Sequence, residues 1–198
     1  MLTFAVAVFF LIITPGPGVL TTAGIGSGYG YRAGARFLAG LWLGTNLVQL
    51  MVATGLTAVA FSIPELRIGL LFLSVAWFVY LAAKIAFAGA RIGFIEADQA
   101  PGFWNGVILQ FINPKAYAVS NLLISGYAFW PEDLAVEIAL KFLIMNIIWV
   151  PVHITWLTAG VMVRRMELAP SVQRRINFAM AAALLTVVFL AAWSELAL

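Results

Sequence analysis

The stretch Leu11-Ile12-Ile13-Thr14-Pro15-Gly16-Pro17-Gly18-Val19 sets two prolines and two glycines inside a long apolar run. A second interruption, Asn113-Pro114-Lys115, divides another such run, and Pro15 and Pro114 stand 99 positions apart in a chain of 198 residues. Proline within a helix lacks an N–H and pushes away the carbonyl four residues back. The two elements are therefore expected to free the carbonyls of Leu11, Ile13 and Gln110. In hydrocarbon, bare carbonyls persist only where they line a cavity or meet a partner. Interruptions at corresponding points of two halves are the sequence pointer to a transporter's central site.

Composition puts the chain in a bilayer. Apolar residues make up 64% and charged residues 10%, with a mean hydropathy of +1.04, against roughly half apolar and about a quarter charged in soluble domains. A bilayer core needs about 20 mostly apolar residues. Six stretches meet this: Leu2–Ile25, Phe37–Phe61, Ile68–Ala90, Gly106–Phe129, Ile138–Val163 and Ile176–Leu196. The loops between them are too short for a soluble catalytic or nucleic-acid-binding domain. Met1-Leu2-Thr3 offers no basic segment ahead of the first span, so that span is read as part of the mature protein rather than as a cleaved signal.

The net charge of +3 reports orientation. Arg32, Arg36, Lys84, Arg91, Arg164, Arg165, Arg174 and Arg175 fall in or beside the first, third and fifth loops, whereas Arg67 and Lys141 flank the second and fourth and Lys115 lies within a span. This positive-inside bias places the odd loops in the cytoplasm and both termini outside, in a bacterial inner membrane. Three spans per half then invert the second half relative to the first, with span one matching span four. The expected fold is an all-α integral membrane protein of six transmembrane helices in two inverted three-helix repeats, helices 1 and 4 being broken at the proline motifs. It forms one transmembrane domain over 1–198: repeat one spans about 1–89, a linker bearing Glu96, Asp98 and Pro101 about 90–102, and repeat two about 103–198.

At the breaks, Gly16 and Gly18 permit backbone geometries closed to other residues. The half-helix that follows presents unpaired N–H groups and a positive dipole end, which suit a carboxylate. Carbonyls ending the first half-helix suit an ammonium. An amino acid carries both. Thr14, Pro15, Gly16, Pro17, Gly18, Asn113, Pro114 and Lys115 are accordingly candidate substrate-binding residues. Two roles are open to Lys115, a charge that must face the bundle interior: attracting an anionic group of the substrate, or binding freed carbonyls near its own break. Asn46 and Gln49, three apart on the second span, are further candidates whose alternative role is interhelical hydrogen bonding.

In the fifth span Asn146, Trp149, His153 and Trp156 form a stripe, with Pro151 expected to kink it. His153 is a candidate proton relay, its alternative a packing role between tryptophans. No Asp or Glu lies mid-span, so proton coupling would fall to His153, Lys115, an interfacial acid such as Glu137 or the substrate's own amine. The pairs Gly24/Gly28, Gly26/Gly30, Gly30/Gly34 and Gly40/Gly44 allow close helix approach, between spans one and two or across a homodimer face.

Without cysteine there is no disulfide or thiolate metal site. One histidine and no mid-span carboxylate serve a transition metal poorly, and no Walker-type loop is present. No acid, histidine or nucleophile cluster marks an enzyme. We expect no catalytic residue, cofactor, bound metal or nucleic-acid partner.

With Thr14-Pro15-Gly16-Pro17 and Asn113-Pro114-Lys115 in order, Gly30, Gly34, Gly40, Gly44 and Gly55-Leu56 between them and Gly106 seven residues before Asn113, the chain resembles the LysE/RhtB family of amino-acid exporters. The likeness runs over most of the chain and is strongest in Thr14–Leu56 and Trp104–Ala116. It departs at Gly18, where the family commonly has Asn, at Ser74, Trp77, Phe78 and Ala82, and at Ala181-Ala182-Ala183. The resemblance implies a secondary transporter exporting small amino acids or derivatives from the cytoplasm in exchange for protons. The alternatives are a metal or inorganic-ion efflux protein of the same superfamily and a non-transporting membrane assembly subunit.

Overall fold

Each proline motif divides one apolar run into two helices. The computed structural model describes residues 1–88 and 99–196. In it α1 (Leu2–Ile13) meets α2 (Pro17–Tyr29) at a bend of 51°, and α6 (Phe103–Ile112) meets α7 (Pro114–Ser125) at 67°. At 1.5 Å per residue each of these pieces is about 15–20 Å long, short of the roughly 30 Å of a bilayer core on its own. The remaining long helices are α3 (Tyr31–Ala53), α5 (Pro64–Ala86), α8 (Leu134–Arg165) and α9 (Pro170–Leu196), with a short α4 (Leu56–Phe61) between α3 and α5. Among the described residues, four helices are long and apolar enough to cross a membrane, and counting each bent pair as one crossing makes up to six. The protein is an all-helical, multi-pass membrane protein.

Several expected boundaries move. The second span does not continue to Phe61, because Gly55 takes a positive φ of 76° that ends α3 at Ala53 and sets α4 apart. The helix expected to reach Phe129 ends at Ser125, and residues 126–133 are irregular. Gly30, at φ 85°, makes the turn from α2 directly into α3. Pro151 lies within α8, which runs unbroken through it. Arg91, Glu96, Asp98 and most of the expected linker lie outside the described residues.

The glycines pack internally, but between other helices than spacing suggested. A methyl on Gly40 would overlap the carbonyl of Phe103, and one on Gly106 the carbonyl of Phe37, so α3 and α6 touch backbone to backbone. A methyl on Gly160 would overlap the carbonyl of Ala23, and one on Gly26 would lie 2.8 Å from that of Leu157, which joins α2 to α8 in the same way. Both seams link one half of the chain to the other. Gly24 faces Ile85 of α5 instead, 2.7 Å from where its methyl would be. Removing side chains is how apolar helices gain close van der Waals contact when lipid supplies no hydrophobic drive.

Polar pins close the two ends. Arg164 Nη1 donates to the Gly28 carbonyl at 2.6 Å, covering the C-terminal carbonyls of α2. At the other end Lys141 Nζ donates to the carbonyls of Ile124, at 2.7 Å, and Tyr127, and pairs with Glu137 at 2.6 Å. The Glu137 carboxylate accepts from the backbone N–H groups of Phe129, at 3.3 Å, and Trp130, at 2.8 Å. Phe4 of α1 packs on Tyr127 and Phe129, with ring centroids 5.6 and 5.3 Å apart.

Candidate functional site

The two breaks come together around one small cavity. Its volume is about 70 Å³, room for a handful of water-sized groups at roughly 10–15 Å³ each. The polar lining comes from Thr14, Thr45, Gln49, Gln110, Asn113, Lys115, Ser120 and His153, with Gly16 and Gly18 on the first break. Met145, Val119 and Trp149 form apolar wall.

The two half-helix starts differ. At α7, Asn113 is a built-in cap: its Oδ1 accepts from Lys115 N at 3.2 Å and its carbonyl accepts from Ala116 N at 2.9 Å. Its Nδ2 donates to Gln110 Oε1 at 2.8 Å, and Gln110 Nε2 donates in turn to Thr45 Oγ1. At α2 the N-cap is Gly16, in extended backbone and with no side chain to accept. Pro17 has no N–H, and the Gly16 carbonyl takes the N–H of Leu20 at 3.0 Å. This leaves the N–H groups of Gly18 and Val19 as the orphan donors of the first turn, at a cavity both residues line.

Lys115 reaches across to the other break. Its Nζ donates to the Thr14 carbonyl at 2.6 Å, a contact to the first motif rather than to the carbonyls near its own. A methyl on Gly16 would lie 2.7 Å from Lys115 Cδ and 3.1 Å from Nζ, so Gly16 gives the lysine its path. The expected freed carbonyl of Gln110 is taken by Asn113 N at 3.3 Å. The carbonyls left over at this break belong to Phe111 and Ile112. Tyr117 Oη donates to the first at 2.6 Å and Ser74 Oγ to the second.

The same cavity holds two acceptors. Gln49 is buried and its Oε1 has no hydrogen-bond partner among the described residues. His153 is buried, stacked on Trp149 with ring centroids 3.6 Å apart, and its Nδ1 lies 2.9 Å from the Trp149 carbonyl. A carbonyl only accepts, so in the neutral ring Nδ1 carries the proton and Nε2 holds a lone pair. That Nε2 lies 4.0 Å from where a methyl on Gly18 would be, on the cavity side.

Of the residues singled out from sequence, the cavity thus gathers Thr14, Gly16, Gly18, Gln49, Asn113, Lys115 and His153. Pro15 and Pro17 shape the first break without lining the cavity, and Pro114 faces the other side of the second. Asn46 turns to α8, where Asn146 Nδ2 donates to its Oδ1 at 2.8 Å and its own Nδ2 donates to Trp42 O at 2.9 Å. Glu137 is committed to Lys141 and the backbone after α7. Thr45 and Ser120 also line the cavity, and no charge or helix break beside them marks either in the sequence.

Comparison with known proteins finds efflux proteins among the relatives of the chain. Aligned over 144 residues, the chain is 27% identical to the cysteine/O-acetylserine efflux proteins of Escherichia coli (strain K12), Shigella flexneri and Salmonella typhi. The alignment covers 69% of this chain and 73% of each relative. No family model and no solved structure matches the chain.

Proposed function

We propose that the protein exports a small amino acid or close derivative from the cytoplasm across the bacterial inner membrane, by alternating access around the cavity between its broken helices. The observation that carries this reading is the meeting, in one small cavity, of an uncapped helix start with two buried acceptors. The orphan N–H groups of Gly18 and Val19, backed by the Lys115 ammonium, suit a carboxylate. Gln49 Oε1 and His153 Nε2 suit an ammonium. One α-amino acid carries both of these charged groups.

The six crossings form two inverted repeats in this reading, and the cross-half glycine seams are the surfaces that rock. The named cargo of the relatives, cysteine and O-acetylserine, consists of small α-amino acids, and a cavity of about 70 Å³ favours that size class. His153 is the proposed proton-exchange group, its Nε2 facing the substrate ammonium. A metal cargo is poorly matched, since the described cavity lining offers one imidazole and no carboxylate.

Proteoliposomes loaded with a mixture of all common amino acids and O-acetylserine, under an imposed pH gradient, test the proposal by mass spectrometry of the efflux. Selective loss of one or a few small amino acids, abolished in Lys115→Ala, supports it. Folded protein that releases none, with or without the gradient, refutes it.

A further inference from the structure

A second cavity, of about 790 Å³, lies behind the α6–α7 break, bounded by α3, α4, α5 and α7. It is far larger than the chamber between the breaks and in the size range of ligand-binding cavities, about 300–1,000 Å³. Ile112 and Pro114 line it, while Asn113 between them lines the small chamber. The wall between the two spaces is thus a single stretch of broken-helix backbone. Ser74 and Tyr117, both lining the large cavity, hold that wall by donating to the carbonyls of Ile112 and Phe111.

The lining sets polar groups among apolar Val52, Ile68, Leu70, Leu71 and Ile112. Asn121 is exposed and lies seven residues beyond the break, about 10 Å along α7, at a depth still within hydrocarbon. Thr57, Ser62, Ser74 and Tyr117 add four hydroxyl groups. Polar side chains at such depth face the protein interior or water. The cavity reaches Ser62 and Pro64, in the loop that charge asymmetry puts outside.

We propose that this cavity is the water-filled outer vestibule through which the exported amino acid leaves, and that the backbone wall at Ile112–Pro114, held by Ser74 and Tyr117, is the barrier it crosses. The exit role rests on the export reading above. The vestibule itself is tested without any substrate.

Because the chain has no cysteine, single thiols can be placed in the full-length protein without other changes. Ala118→Cys and Ser62→Cys, in sealed right-side-out vesicles, are treated with a membrane-impermeant sulfonated thiol reagent or a lipid-soluble maleimide, with Glu132→Cys as the exposed-loop reference. The proposal expects the impermeant reagent to modify both vestibule thiols from outside, as it does the reference. Modification by the lipid-soluble reagent alone would make the space a lipid groove and overturn the proposal. Modification only in inverted vesicles, or only after a dimer is dissociated, would overturn it too. Ala118→Trp then tests the exit: efflux should be lost while the chamber thiol Ser120→Cys, probed in inverted vesicles, stays as reactive as it is without the tryptophan. Wild-type efflux with Ala118→Trp would reject the exit route, and outside labelling with no amino-acid efflux in any variant would reject the cargo while leaving the vestibule intact.

Discussion

Gly16→Ala should disable transport through a residue it does not replace. The added methyl would sit 2.7 Å from Lys115 Cδ and 3.1 Å from Nζ. These atoms end a flexible side chain, so the protein can fold by moving the lysine off the Thr14 carbonyl. A hydrogen bond to a charged group contributes about 1.5–3 kcal/mol, and about 1.4 kcal/mol is a factor of ten. The state in which Lys115 bridges the two breaks should therefore lose population by about 10- to 140-fold. Efflux kinetics in proteoliposomes for wild type, Gly16→Ala, Lys115→Met and the double variant form a cycle. If the methyl acts through the lysine, the double variant should be no worse than Lys115→Met alone. Losses that multiply across the cycle would show that Gly16 matters for its own backbone, and the bridging role of Lys115 would fall.

Three further outcomes follow from the packing. Gly40→Val and Gly160→Val drive a side chain into backbone carbonyls and should destabilise the detergent-solubilised protein by about 1–3 kcal/mol or more, read as a lower melting temperature; Gly69→Ala, with nothing within 4 Å, should not. Gly18→Asn restores the residue common in the resembling family, and its Cβ meets Leu41 at 3.4 Å and His153 Nε2 at 4.0 Å. It should fold, shrink the chamber and shift export away from larger cargo, measured as a lower ratio of O-acetylserine to serine efflux. Lys141→Met leaves the Glu137 carboxylate buried with two backbone N–H partners and no cation; it should lower the melting temperature more than Lys141→Met combined with Glu137→Gln.

The broken helices were legible because proline's missing N–H acts locally, and Thr14–Gly18 and Asn113–Lys115 needed no tertiary information. Helix ends were less so: nothing in Ala53-Thr54-Gly55 forces a positive φ until α4 packs beyond it. Glycine spacing foretold close contacts but not partners, because Gly40 reads the same whether it meets α2, α6 or a second copy. Asn46 and Gln49 lie about 60° apart around α3, enough to turn one to Asn146 and the other to a narrow chamber. The span of Lys115 to Thr14, 101 positions away in the chain, depends on how the halves dock. That docking lives in the α3–α6 and α2–α8 seams.

The proposed cargo is an amino acid between the breaks, held by both charged ends. Its most direct test is protection of Ser120→Cys in the chamber from alkylation by O-acetylserine, by O-acetylethanolamine, which lacks the carboxylate, and by 3-acetoxypropionate, which lacks the ammonium. The account predicts saturable protection by the amino acid and none by either analogue at the same concentration. Equal protection by an analogue missing one charge, or by none of the three in protein that effluxes O-acetylserine, would contradict it.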